Sequence, residues 1–151
     1  MNSENMHQVL FICTANYYRS RFAEAVFNHY ARNRRMDWIA ISRGLATYLV
    51  SEDISSSTVE ALQHRRISLQ LTAPTALQLT EVHLESADVI IALEEVEHHP
   101  IMEELFPNWA DKITYWDVPD KGIVDPAVAL PVVEEYVVEL IESLGEVSEE
   151  D

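Results

Sequence analysis

VLFICTANYYRS, residues Val9 to Ser20, decides how this chain reads. Four apolar residues, Val9 to Ile12, run straight into Cys13, the only cysteine. Arg19 follows six positions later, then Ser20, then a long helical pattern. A short continuous apolar run of this kind is a buried strand. Phe22, Ala23, Val26, Phe27, Tyr30 and Ala31 recur at three- and four-residue steps, the spacing of a helix with one apolar face. The stretch is therefore a strand, a five-residue turn and a helix. A thiol lies at the base of the turn and a guanidinium at its far end.

The same logic extends outward. After the strand Val9–Cys13 and a helix over Tyr18–Arg34, Trp38–Ser42 reads as a second strand, with Gly44 permitting a sharp turn. Glu52–Arg66 reads as a helix with Ser51 as its cap, and Thr75–Ser86 as another, started near Pro74. Ala87–Leu93 is a third buried strand, Glu94–Leu105 a short acidic helix ending before Pro107, and Lys112–Asp117 a fourth strand. Asp125–Leu144 is the last helix, with Pro126 in its first turn, Gly145 ending it and residues 146–151 a frayed tail. Apolar strands alternating with helices predict an α/β fold: a three-layer, doubly wound, four-stranded parallel sheet with helices on both faces. A length of 151 residues fits one domain over 1–151. Ligands of such sheets bind at the carboxyl ends of strands, which is where Cys13 stands.

Composition narrows the function. A hydrophobic content of 48% supports a real core, and no apolar run approaches a membrane span. Residues Met1 to Gln8 are polar without a basic start, so no signal peptide is expected. A single cysteine suits a reducing compartment, and a cytoplasmic location is the expectation. The net charge of −16 is divided unevenly: residues 1–66 hold eight arginines against six acids, and residues 67–151 hold two lysines against twenty acids. Nucleic acid is an unsuitable partner for so acidic a chain. The acidic part reads as a solvated surface, with a docking face for a protein partner as the alternative.

The turn after Cys13 has the parts of a phosphate cradle. The thiolate is the nucleophilic form of cysteine, and a helix N-terminus and a nearby arginine both favour it. Helix N-termini and consecutive backbone N–H groups bind anions. Five residues, Thr14 to Tyr18, are enough to wrap amides around three phosphoryl oxygens. Arg19 offers a planar fork for two of those oxygens. Ser20 can donate a hydrogen bond to the sulfur, and Asn16 suits a left-handed position within the turn. The Gly-Lys-Ser/Thr of a Walker loop is absent.

These residues resemble the low-molecular-weight protein tyrosine phosphatases and their arsenate-reductase relatives. The resemblance rests on VLFICTANYYRSRFAEAVF with Ala23 and Glu24 in place, ISRGL at Ile41–Leu45, LESADVIIAL, Phe106-Pro107 and YWDVPD at Tyr115–Asp120. It implies a phosphate monoester hydrolase acting on phosphotyrosine protein or a small aryl phosphate through a cysteinyl-phosphate, with no cofactor and no metal. It implies Cys13 as nucleophile, and a phosphate-binding set of Thr14, Ala15, Asn16, Tyr17, Tyr18, Arg19 and Ser20. Asn16, Ser20 and Ser42 would hold the loop by hydrogen bonds, and Tyr48 would stand at the mouth.

Two aspartates compete for general acid. The Asp-Pro dipeptide usual in the family favours Asp125; chain geometry favours Asp120, just past the fourth strand. Asp125, ahead of Pro126, stands where a helix cap belongs. Asp120 is assigned as acid and Asp125 as cap. Several departures are visible: Tyr18 replaces a second loop cysteine, Ala15 a loop glycine, and the Asp-Pro-Tyr-Tyr segment is missing. They leave two further readings open, a phosphotyrosine- or oxyanion-binding module without turnover and an arsenate reductase using an external thiol. The six histidines are scattered without metal-ligand spacing, and no membrane partner is expected.

Overall fold

The computed structural model describes residues 6–51 and 53–150, with the side chains of 146–150 outside the description. Four parallel strands, β1 (His7–Cys13), β2 (Trp38–Gly44), β3 (Val89–Ala92) and β4 (Thr114–Tyr115), form one sheet in the order β2-β1-β3-β4. Five helices connect and cover them: α1 (Arg19–Asn33), α2 (Ser56–His64), α3 (Glu81–Ser86), α4 (Glu95–Leu105) and α5 (Pro126–Glu150). Successive residues of a strand face opposite sides of the sheet. Val9 and Phe11 accordingly enter one core with Phe22, Val26 and Phe27 of α1 and Val133, Val137 and Ile141 of α5. Leu10 and Ile12 enter a second core with Leu84 of α3 and Met102 of α4. Both faces of β1 are thus buried, which is why its sequence is continuously apolar rather than alternating.

Several boundaries differ from the sequence reading, each for a local reason. Helix α2 starts at Ser56: the capping hydroxyl is that of Ser55, which accepts from Ser57 N–H, while Ser55 N–H donates to Tyr17 C=O. Ser51 caps nothing, and Glu52 lies outside the described residues. Helix α3 is only Glu81–Ser86; the segment before it runs alongside β2 as an extra bridge, with Gly44 N–H donating to Leu77 C=O and Leu79 N–H to Gly44 C=O. Strand β4 shrinks to two residues, and α5 continues past Gly145 to Glu150 where a frayed tail was expected; Asp151 lies outside the described residues. Gly44 is not needed for a positive φ. It is needed for close approach: a Cβ there would stand 2.9 Å from Asn16 N and 2.8 Å from Thr47 Cγ2. Among the described residues, no helix is long and apolar enough to cross a membrane.

Candidate active site

The carboxyl ends of β1, β3 and β4 lie side by side, so the loops that follow them meet. After β1, Thr14 to Tyr18 curl under the start of α1. Asn16 adopts a φ of 55°, the left-handed value its side chain tolerates. Most of the loop's carbonyls accept hydrogen bonds from other segments. Cys13, Thr14, Tyr17 and Tyr18 accept from Leu45 N–H, Ala46 N–H, Ser55 N–H and the Thr58 hydroxyl, and Asn16 accepts from Arg21. Among the described residues, none of the amides of Thr14 to Tyr18 donates to a backbone carbonyl. Backbone polar groups in a folded chain find partners. Consecutive amides without an acceptor in the chain are the donors from which anion-binding loops are made.

The loop is held from behind by buried side chains. Asn16 Oδ1 accepts from Leu77 N–H at 2.8 Å, which fixes the amide orientation because a backbone N–H can only donate. Asn16 Nδ2 then donates to Ser20 Oγ and Ser42 Oγ, both at 2.9 Å. Ser42 passes its own hydrogen to Glu24 Oε1 at 2.6 Å. Thr72 donates to the same oxygen at 2.6 Å and accepts from Arg21 Nε. Burial raises the Glu24 pKa, although the Ser42 and Thr72 hydrogen bonds counter it. Ser20, having accepted from Asn16, has its hydrogen free for Cys13 Sγ, 2.8 Å away. Either atom of that pair can donate; a Ser20 hydrogen turned to the sulfur is the arrangement a thiolate would need.

Cys13, Thr14, Ala15, Tyr17, Tyr18 and Arg19 line a cleft of about 240 Å³ with Leu49, Val50, Glu97, Asp120 and Lys121. A larger hollow of about 900 Å³ between α2 and the start of α5 lacks both the cysteine and the cradle. Asn16 and Ser20 stand behind the loop rather than in the lining. The Arg19 guanidinium is buried; Nη1 donates to Val118 C=O at 2.7 Å and Nη2 to Glu97 Oε2 at 2.8 Å, while Nε has no partner. Burial works against its charge, but Glu97, Cys13 and Asp120 together hold its pKa above the ordinary value.

Asp120 is half exposed, with Oδ1 3.9 Å from Arg19 Nη2. Asp125 instead caps α5, accepting from Ala127 N–H at 2.8 Å. Lys121 reaches over the Tyr17 ring and donates to its hydroxyl at 3.1 Å. Tyr18 is buried, its hydroxyl unpartnered, and burial pushes its pKa up to about 12. Tyr48 is 84% exposed and outside the lining, where its neighbours Leu49 and Val50 stand instead. Among the described residues, no cluster of three or more His, Cys, Asp or Glu side chains is placed to hold a metal ion.

Sequence reasoning missed Glu97. Its Oε2 accepts from Thr14 Oγ1 as well as Arg19 Nη2, and His98 Nε2 lies 3.0 Å away, off the line of a well-formed hydrogen bond. Burial opposes its charge, yet His98 and Arg19 hold its carboxyl well below the usual carboxylate range. Glu94, Glu95 and Glu97 all crowd the start of α4, where any acid is favoured by the helix dipole. Nothing in the sequence says which of them turns to the loop.

Residues 8–144 match the family described as low molecular weight phosphotyrosine protein phosphatase. The chain is 31% identical over 106 residues to a protein-arginine-phosphatase of Bacillus subtilis, covering 70% of this chain and 67% of the relative. It is 30% identical over 89 residues to a low molecular weight phosphotyrosine protein phosphatase of Sus scrofa, covering 58% and 54%. A crystal structure of a low molecular weight protein tyrosine phosphatase from T. tengcongensis superimposes with a TM-score of 0.77 at 28% identity, over 91% of this chain and 99% of that one.

Proposed function

The chain belongs to the low molecular weight phosphotyrosine protein phosphatase family, a family of hydrolases, and from that premise we propose that it cleaves phosphotyrosine in proteins through a cysteinyl-phosphate. The observation that supports this reading is the loop: the amides of Thr14 to Tyr18 and Arg19 Nε lack an acceptor in the chain, and Cys13 and Arg19 line the same cleft. The amides and Arg19 bind the three non-bridging oxygens and stabilise them as the transition state forms. The sulfur attacks phosphorus while the bond to the tyrosyl oxygen breaks. Asp120 gives its proton to that oxygen, releasing a neutral phenol. Asp120 then takes a proton from water as the water oxygen bonds to phosphorus and the P–S bond breaks, freeing inorganic phosphate and the thiolate. Asp125, committed to the α5 cap, takes no part. This reading treats 1–151 as one domain working in the cytoplasm.

A second substrate reading has its own support. The Bacillus subtilis relative is named for phosphoarginine, and two carboxylates, Glu97 and Asp120, line the cleft here. A guanidine leaving group would meet them as a cation. Turnover of phosphotyrosine and phosphoarginine peptides, compared by kcat/KM, decides between the two. Wild-type chain should hydrolyse an aryl phosphate and Cys13→Ser should bind phosphate without turnover. A wild-type chain that binds phosphate but releases none from any ester refutes the enzyme reading in favour of a binding module.

A further inference from the structure

Glu97 takes no part in the steps above, yet its carboxylate rests on the guanidinium that binds the substrate. Thr14 Oγ1 and Arg19 Nη2 both donate to Oε2. Its surroundings leave it anionic. His98, on the same helix, receives Glu94 N–H at Nδ1, so the neutral ring carries its proton on Nε2, toward Glu97. Burial lowers the His98 pKa, which disfavours the charged ring, against the pull of Glu97. From the loop after β4, Asp120 approaches the same guanidinium and Lys121 joins the lining, its ammonium drawn to Tyr17. Cys13 lies across the cradle, and Glu94 is spent on the α4 cap. At the base of the cleft one guanidinium therefore faces two carboxylates and a sulfur.

We propose that Glu97, held on Arg19 and Thr14, is a specificity-determining residue that makes the cradle prefer a singly charged phosphoryl group over a doubly charged one. The proposal rests on the reading of the Cys13–Arg19 loop as the phosphate site. A phosphate monoester passes from one charge to two near pH 6. The second charge meets a cleft whose lining guanidinium, Arg19, is already compensated, while the buried Arg21 stands behind the loop and is paired to Asn16 C=O and Thr72. One unit of charge a few ångströms away, at an effective dielectric near 20, is worth on the order of tenfold to a hundredfold in affinity. The singly charged form also carries a P–OH hydrogen that a carboxylate can accept and a second anion would lack.

Calorimetric binding of inorganic phosphate to full-length Cys13→Ser, with and without Glu97→Gln, between pH 5.5 and 8 tests this. Removing the sulfur charge and turnover isolates the carboxylate. Glutamine keeps an oxygen for Thr14 and Arg19 and drops only the charge. The Cys13→Ser chain should bind phosphate about tenfold or more tighter at the acid end. Adding Glu97→Gln should tighten binding at pH 8 by about tenfold and flatten the profile. Equal pH slopes in the two chains, or weaker binding at pH 8 with glutamine, overturn the proposal.

Should the glutamine variant fail to fold, the Cys13→Ser profile alone decides, and a flat or rising one overturns it. Absence of phosphate binding in Cys13→Ser at every pH overturns the site reading itself and this proposal with it. In turnover, Glu97→Gln should lower KM for an aryl phosphate at pH 7.5. A merely structural role would instead lower kcat without lowering KM.

Discussion

Replacing Asn16 by aspartate changes the chemistry of one atom and the position of none. The oxygen facing Leu77 N–H is kept. The nitrogen that donates to Ser20 and Ser42 at 2.9 Å becomes an oxygen that only accepts. Each serine has one hydroxyl hydrogen. If both turn to the new carboxylate, Cys13 Sγ loses Ser20 and Glu24 loses Ser42. If they stay, oxygen faces oxygen with no hydrogen between. Two hydrogen bonds vanish either way, at about 1 kcal/mol for a neutral pair and about 1.5–3 kcal/mol where a charged group is involved. A newly buried charge adds to that. The expected loss of stability is on the order of 3–5 kcal/mol, a large share of the roughly 5–15 kcal/mol of an ordinary domain. Urea unfolding measures it. Losing the hydrogen bond that favours the ionised sulfur should lower kcat/KM for p-nitrophenyl phosphate by about 10- to 100-fold. The defect should shrink as pH falls, because the protonated carboxyl regains a donor. A variant whose stability and rate both stay close to wild type would refute the directed-network argument.

Three shorter predictions follow from the same geometry. Gly44→Ala should lose about 1–3 kcal/mol, because its methyl meets Asn16 N at 2.9 Å, backbone that cannot swing aside; an unchanged melting temperature would count against the close-approach account. Asp120→Asn should cut kcat on phenyl phosphate by about 100-fold or more and less on p-nitrophenyl phosphate, whose leaving group needs little protonation, whereas Asp125→Ala should cost about 1 kcal/mol of stability and leave kcat intact; the reverse pattern in kinetics and urea unfolding would exchange the two roles. Glu97 has its folded-state pKa depressed, so its ionic contribution to stability is present above the unfolded value of about 4.3 and is lost as pH falls through the folded value. The stability gap between wild type and Glu97→Gln should therefore narrow below about pH 4, and a gap constant from pH 2 to 7 in urea titrations would refute the linkage.

What the sequence disclosed and what it withheld divide along physical lines. Strand β1 and helix α1 were legible because both are buried and their periodicities leave little choice. The strand–turn–helix of this loop was legible because Cys13 and Arg19 flank a five-residue turn in which Asn16 takes the left-handed position. The residues before α3 were misread as helix because their side-chain spacing is helical, while the bonds that win are backbone bonds to Gly44 that leave no compositional trace. The start of α2 was misread among several serines, since the cap is chosen by Tyr17 C=O accepting from Ser55 N–H and not by the hydroxyl alone. Val118, whose carbonyl fixes one arm of Arg19, could not have been found at all: a main-chain acceptor is the same at every residue.

The uneven charge of the sequence acquires a meaning from the sheet order. Residues 1–66 supply Cys13 and the buried Arg19; the acidic remainder supplies Glu97 and Asp120. A parallel sheet ordered β2-β1-β3-β4 places the ends of β1, β3 and β4 together, so the two parts of the chain must meet at the site. A guanidinium only 2% exposed needs acceptors close by, and three come from the acidic part: Val118 C=O, Glu97 and, at longer range, Asp120. On the proposed function, the arginine that meets the phosphoryl group is thereby paired before substrate arrives. Affinity must then come from the neutral amides of Thr14 to Tyr18, whose dipoles attract an anion without any ion pair having to be broken. On this account loop shape sets the affinity, and the Glu97 charge sets which phosphoryl form is preferred. The side chains that fix that shape, Asn16, Ser42 and Glu24, should govern catalysis as strongly as those that line the cleft.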